Sequence, residues 1–147
     1  MRYSEHGVEL DGEELLRAAI FLHGHLGPYL VLGVKAGLLA VDVLGRDPLG
    51  SRVEVELPGR IPYTCFLDGL QISTGCTLGK GNIRVEKTRE EHIRVLYENR
   101  RGSVEIEVRR EVLEEVNEAL SAKRDQRELA MELWNREPDR LFSLSEG

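Results

Sequence analysis

Hydrophobic positions along this chain change their period several times, and each change marks an element. Leu15, Leu16, Ala18, Ala19 and Leu22 recur at helical spacing. Asp11 and Glu14 precede that run as a capping box with Asp at the cap, so a first helix opens there. Gly24 and Gly27 interrupt it, and Pro28 suits the first position of a second helix, where its missing N–H costs nothing. From Tyr29 to Leu44 the chain is apolar almost all round, with Lys35 and Asp42 as its only charges. That run of 16 residues is short for a membrane span, so a buried central helix is expected. Gly33 and Gly37 would let a neighbouring element approach it closely.

The period then shortens to two. Val53, Val55 and Leu57 alternate with Arg52, Glu54 and Glu56, the mark of a half-buried strand. Pro58-Gly59 and Pro62 form a loop, and Thr64 to Thr74 can make a short helix. Ile83–Glu86, Ile93–Tyr97 and Val104–Val108 read as strands, the last two joined by a hairpin turn at Asn99–Gly102. Val112, Leu113, Val116 and Leu120 form one face of an amphipathic helix. Asp125 with Glu128 caps a last helix, which runs through Leu133 and Trp134 and stops before Pro138. The order α-α-β-α-β-β-β-α-α predicts an α+β fold, a mixed β-sheet flanked by helices, with residues 1–147 forming a single domain.

Composition narrows the function classes. With 26 acidic and 20 basic side chains the net charge is −6, which argues against a phosphate-binding surface and hence against nucleic acid. Two cysteines cannot make a disulfide-dense scaffold. Met1 to Gly12 is polar and acidic, so no signal peptide is read, no membrane partner is expected, and the expected compartment is the cytoplasm with reduced thiols. Residues 1–82 hold 13 of the 15 glycines, both cysteines and three of the four histidines. Residues 83–147 hold 29 of the 46 charged side chains and read as a solvated scaffold or partner surface.

Three segments can carry chemistry. In His23-Gly24-His25 the glycine makes an irregular backbone, in which two imidazoles can converge as ligands for a transition metal. The helix start at Pro28 adds free N–H groups that favour an anion. In Cys65-Phe66-Leu67-Asp68 a helix would put the thiol and carboxylate on one face. A thiol at a helix N-terminus is expected to ionise more readily, which suits a nucleophile or a ligand. The third segment is Thr74-Gly75-Cys76-Thr77-Leu78-Gly79-Lys80-Gly81-Asn82. A Walker loop needs four residues before its Gly-Lys and a hydroxyl after it, whereas here three intervene and Gly81 follows, so a nucleotidase is rejected. Gly79, Lys80 and Gly81 remain as a wall against which a ligand can lie. Cys65 and Cys76 stand eleven positions apart, roughly 16 Å along a straight helix, too far for one ion at its two ends. Cys65 is therefore preferred as the partner of the histidines, with Cys76 also a candidate metal ligand if the helix is bent. His92 lacks a partner motif and reads as a surface or edge-strand residue, and His6 belongs to the polar N-terminal arm.

Taken together, Phe21-Leu-His-Gly-His-Leu-Gly-Pro28 with Gly33, Cys65-x-x-Asp68-Gly69-x-Gln71 and Thr74 to Asn82 resemble the FmdE family, named for a component of molybdenum or tungsten formylmethanofuran dehydrogenase. The resemblance spans roughly residues 11–110. It implies an α+β core with a metal-capable cavity, zinc being the usual suggestion, and dimerisation. The associated partners would be formylmethanofuran dehydrogenase subunits in methanogenesis. By position, the cavity residues are His23, His25, Cys65, Asp68 and Cys76, with Lys80 nearby. The chain departs from the pattern twice. Many members carry Cys at the place of Gly27, and many carry a C-terminal cysteine-rich zinc finger, whereas no cysteine follows Cys76 here. The expected function is thus a metal-binding accessory subunit or a small metal-dependent enzyme, with Cys65 and Asp68 as catalytic candidates. The rival is a non-catalytic metal-, cofactor- or chaperone-type module that docks on the dehydrogenase. A thiol-redox role is disfavoured, because there is no C-x-x-C.

Overall fold

The computed structural model describes residues 2–5 and 8–147, with side chains from residue 8 onward. The reading of His6 lies outside the described residues. Two short strands, β1 (Arg2–Glu5) and β2 (Val8–Asp11), pair antiparallel ahead of the first helix, where only a polar arm was expected. Helix α1 (Gly12–His23) then opens on the expected box: Asp11 Oδ1 accepts from the Glu14 N–H at 2.8 Å, and Glu14 Oε1 accepts from the Asp11 N–H at 3.0 Å. Gly24 ends it in the left-handed region, at φ 104°.

Helix α2 (Pro28–Leu44) is the hub of the fold, and its residues from Pro28 to Gly37 are all buried. Strand β3 (Arg52–Pro58), helix α3 (Cys65–Thr74) and strand β4 (Ile83–Thr88) form a strand–helix–strand unit whose strands pair parallel. Strands β5 (Arg94–Asn99) and β6 (Gly102–Val108) make the expected hairpin, and β5 pairs antiparallel with β3. Helices α4 (Arg110–Ser121) and α5 (Gln126–Asn135) follow, the latter capped by Asp125, whose Oδ1 accepts from the Glu128 N–H at 2.9 Å. A single turn, α6 (Pro138–Leu141), leads to strand β7 (Phe142–Glu146), which pairs with β6. The sheet is therefore mixed, in the order β4-β3-β5-β6-β7, and the α+β expectation holds. The terminal turn and β7 were missed, although Phe142 and Leu144 alternate with serines in a five-residue strand pattern. No helix among the described residues is long and apolar enough to cross a membrane.

Two contacts lock α2 in place. The first is a glycine seam with α3. A Cβ on Gly33 would sit 2.0 Å from the Phe66 carbonyl oxygen, and one on Gly69 would sit 2.3 Å from the Leu30 carbonyl oxygen. The contact advances in step along both helices, since Gly37 meets Ser73. Helices α2 and α3 thus run in the same direction, with their N-termini at one end of the molecule. The second is Lys35, buried at 8% exposure. Its ammonium donates to the carbonyls of Leu133 (3.0 Å), Trp134 (2.8 Å) and Arg136 where α5 ends, the first of which also accepts the Arg136 N–H at 3.2 Å. Burial pushes this amine down to about 8, so it remains largely protonated at neutral pH.

Gly33→Ala should destabilise the protein by about 3 kcal/mol, because overpacking outweighs the helix-propensity gain of roughly 1 kcal/mol. Lys35→Met should cost a similar amount, about 3 kcal/mol, by leaving buried carbonyls without a donor. Urea unfolding midpoints of the purified variants measure both.

Candidate functional site

The parallel run of α2 and α3 and the antiparallel return of α1 bring three helix ends together. They are the last turn of α1 and the first turns of α2 and α3. His23 is the final residue of α1, and the left-handed Gly24 turns the chain back so that the His25 ring lies 4.9 Å from the His23 ring, tilted by 50°. His23 Nδ1 and Asp68 Oδ2 are 2.6 Å apart, across the gap between α1 and α3. In the neutral imidazole tautomer that donates from Nδ1 to this carboxylate, Nε2 is the acceptor nitrogen. That Nε2 is buried and has no hydrogen-bond partner. A buried polar atom without a partner is costly, and its environment must compensate.

Cys65 begins α3, three positions before Asp68, and is half-buried. The sequence suggested an easily ionised thiol. The structure shows the reverse: burial first, and then the negative charge of Asp68, push the Cys65 thiol up. A free helix terminus favours a thiolate, but here the nearest charged neighbour is a carboxylate, and it opposes the terminus. His25 faces a cleft of about 600 Å³ lined by Ile20, Leu26, Gln126 and Arg127. A Cβ on Gly27 would point at His25, 2.9 Å from its Cε1. Gly27 thus adjoins the His25 ring and carries no side chain there. Among the described residues, no three His, Cys, Asp or Glu side chains already stand together as an enclosing metal set.

The other candidates lie elsewhere. Gly75, at φ 76°, caps the far end of α3, whose ten residues span about 15 Å. Cys76 follows it, fully buried in the core, and burial pushes its thiol up. Its N–H donates to Thr74 Oγ1 at 3.1 Å. Lys80 turns its ammonium onto the Gly75 carbonyl at 2.6 Å and Thr77 Oγ1 at 3.1 Å. It therefore closes the end of a helix and does not join Pro28 in holding an anion. Gly79 and Gly81 border open space, on a loop pinned by Asn82, which accepts from the Thr77 N–H at 2.9 Å and donates to the Pro48 carbonyl at 2.8 Å. His92, expected on the surface or an edge strand, instead lies in the loop before the interior strand β5, half-buried, with Glu90 at 3.4 Å, Glu56 at 3.9 Å and its Nε2 buried without a hydrogen-bond partner.

The sequence reading missed the groups behind the site. Tyr29 and Tyr63 are buried, with ring centroids 5.1 Å apart. Asn117 joins their hydroxyls. Only the nearness of Tyr29 to Pro28 and of Tyr63 to Cys65 pointed to them in sequence.

These features define an α+β protein with an imidazole–carboxylate pair and a neighbouring thiol where three helix ends meet. The family model described as "FmdE, Molybdenum formylmethanofuran dehydrogenase operon" matches residues 22–145, and the chain belongs to that family. A crystal structure of a tungsten formylmethanofuran dehydrogenase FmdE-like protein from Syntrophus aciditrophicus shares the fold. Its TM-score is 0.62 at 20% identity, over 100% of this chain and 76% of that one. A probable S-adenosyl-L-methionine-binding protein from Archaeoglobus fulgidus is 41% identical over 71 residues, which cover 47% of this chain and 19% of that protein.

Asp68→Asn should lower the Cys65 thiol toward its ordinary range by removing the adjacent charge. In metal-free protein, iodoacetamide labelling of Cys65 at neutral pH should then run several-fold faster than in the parent. A rate profile against pH, followed by mass spectrometry, measures the shift.

Proposed function

We propose that this chain binds zinc or another divalent transition metal through His23, His25 and Cys65, with Asp68 fixing His23 from behind. The observation that carries the reading is the buried, unpartnered Nε2 of His23, held in one orientation by the 2.6 Å bond at Nδ1. Metal-binding histidines ordinarily donate their other nitrogen to a carboxylate in this way, which fixes the tautomer and raises the ligand's basicity. Imidazole and thiolate suit zinc and its neighbours. No set of three donors stands ready among the described residues, so Cys65 would have to move toward the imidazoles to join them, and it would bind as the thiolate. Bound there, the ion would supply Lewis acidity toward a ligand entering from the cleft beside His25. Gln126 and Arg127 would orient that ligand, and Ile20 and Leu26 would exclude water around its apolar part. Cys76, Lys80 and the glycine loop would take no part, because they occupy the other end of α3.

In this reading the chain is an accessory subunit or a small enzyme, acting as a homodimer or with formylmethanofuran dehydrogenase subunits. Family membership supports the association with a dehydrogenase. The exposed Phe21 and Leu22 on the last turn of α1, and Ile61 before α3, offer apolar contacts for such a partner. This chain spans 19% of the archaeal relative, too little to bring S-adenosylmethionine binding with it.

Protein purified without oxygen should hold close to one metal ion per chain. His23→Ala and Cys65→Ala should each weaken binding at least about tenfold, measured by competition with a chromophoric chelator. Unchanged stoichiometry and affinity in both variants would sink the proposal. Gly27→Cys should tighten binding by about tenfold or more, because it adds a thiol beside His25.

A further inference from the structure

Strand β4 is an edge of the sheet: it pairs with β3, and among the described residues no other strand lies on its far side. Its backbone groups divide between the two sides. The Val53 N–H donates to the Asn82 carbonyl at 2.9 Å, in the parallel register that sets Val53 against Ile83. That ladder turns the backbone groups of Arg84 and Glu86 toward β3, and those of Ile83, Val85 and Lys87 toward the open edge. Arg84, Val85, Glu86 and Lys87 are all exposed. The helices stop short of this edge, since Val55 is 1% exposed whereas Val85, its neighbour on the same face, is 38% exposed. A row of unpaired backbone groups beside a bare valine is a template for another strand.

Charged side chains ordinarily guard such an edge against pairing. The order of charges on β4 admits one partner. Arg84 and Glu86 lie on the outer face of the sheet, opposite in sign and two positions apart. When a second copy presents the same strand antiparallel, about a two-fold axis through Val85, Arg84 stands opposite Glu86 of that copy, and Glu86 opposite its Arg84. Val85 then exchanges its backbone hydrogen bonds with Val85 of the second copy, and Ile83 does the same with Lys87. The charged pairs fall at the positions without hydrogen bonds, where facing side chains come closest. A slip of two residues either way sets Arg84 against Arg84 or Glu86 against Glu86, and like charges placed so repel. A slip of one residue turns outer-face residues against inner-face ones. The strand is thus complementary to itself in one register. Within its own chain Glu86 stands beside Glu56, a like charge already bound to Arg94, and makes no ion pair among the described residues. The second copy supplies the cation that it lacks.

We propose that two copies of this chain associate through β4, edge to edge and antiparallel, so that their five-stranded sheets continue as one. This gives the homodimer of the reading above its surface, and it rests on that dimer and not on the metal. A strand of six residues spans about 20 Å and buries less than a standard interface, so the dimer is weak and depends on concentration.

Sedimentation velocity of the full chain, from micromolar to millimolar concentration and with a chelator present so that no metal bridges copies, reads the association. Arg84→Glu and Glu86→Arg should each raise the dimer dissociation constant at least about tenfold, because either reversal makes both cross-strand pairs repulsive. An equimolar mixture of the two variants should recover the dimer, since one chain then offers two carboxylates and the other two guanidinium groups. A chain carrying both reversals should recover it as well. Val85→Pro removes an N–H that serves no bond to β3, so it should keep the fold by circular dichroism and lose the dimer. A parent dimer unchanged in both single reversals and in Val85→Pro would overturn the β4 interface and leave the homodimer standing. Loss of the dimer in the single variants without recovery in their mixture would overturn the paired register. A parent chain that stays monomeric over the whole range would overturn both the interface and the homodimer.

Discussion

The placement of the candidate site residues depends on the close approach of α2 and α3. Two helices ordinarily pack with axes 8–10 Å apart, held off by their side chains. Here the Cβ atoms at 33 and 69 are missing, and the backbone of each helix fills the space that the other leaves. The approach is specific as well as close, since a glycine on one helix meets a carbonyl on the other in both directions. It fixes the register and the sense of the pair. Both N-termini consequently lie at one end, and α1, returning antiparallel, delivers its last turn to the same place.

That convergence accounts for the division of the molecule into two ends. At one end stand His23, His25, Asp68 and Cys65, with the two tyrosines behind them. At the other end the polar groups serve the backbone: Lys80 closes on Gly75, Arg46 donates to the Ser73 carbonyl at 3.3 Å, and Asn82 pins the loop. The two ends look alike in sequence, each with glycines, a cysteine and a cation or imidazole. They differ physically in what remains unsatisfied. The polar side chains named at the far end are bonded, whereas the near end holds an imidazole nitrogen with no partner; among the described residues His92 Nε2 is the other buried side-chain atom of this kind. Binding sites arise where the fold leaves such a group and also leaves room beside it, and the cleft at His25 supplies the room.

Much of the fold was legible because its signals are local. The Asp11–Glu14 box, the all-apolar run after Pro28, the alternation from Arg52 to Leu57 and the turn at Asn99–Gly102 each state an element within a few residues. What escaped was short. Strands β1 and β2 have four residues each, and β7 has five and lies against β6 only after the chain has passed through three helices. Segments so short carry too few periods to stand out, and their pairing is set by the partner strand. Of the site, the histidine pair and the Cys65–Asp68 spacing were legible. The sign of the Cys65 perturbation was not, because it depends on burial and on the side chain facing it. The partnership of Asn117 with two tyrosines was not legible either, since 54 and 88 positions separate it from them.

The sequence by itself determined the longer elements, the caps, the small residues that permit close packing and the family to which the chain belongs. These follow from chemistry within one or two turns of backbone. Tertiary structure decided which candidates stand at one end of the molecule. It sent His23 to Asp68 across 45 positions and sent Cys76 and Lys80 to the opposite end of α3. The reason is geometric: motif residues adjacent in sequence can occupy the two ends of one rigid helix, and only the packing of that helix against its neighbours settles which end becomes the site.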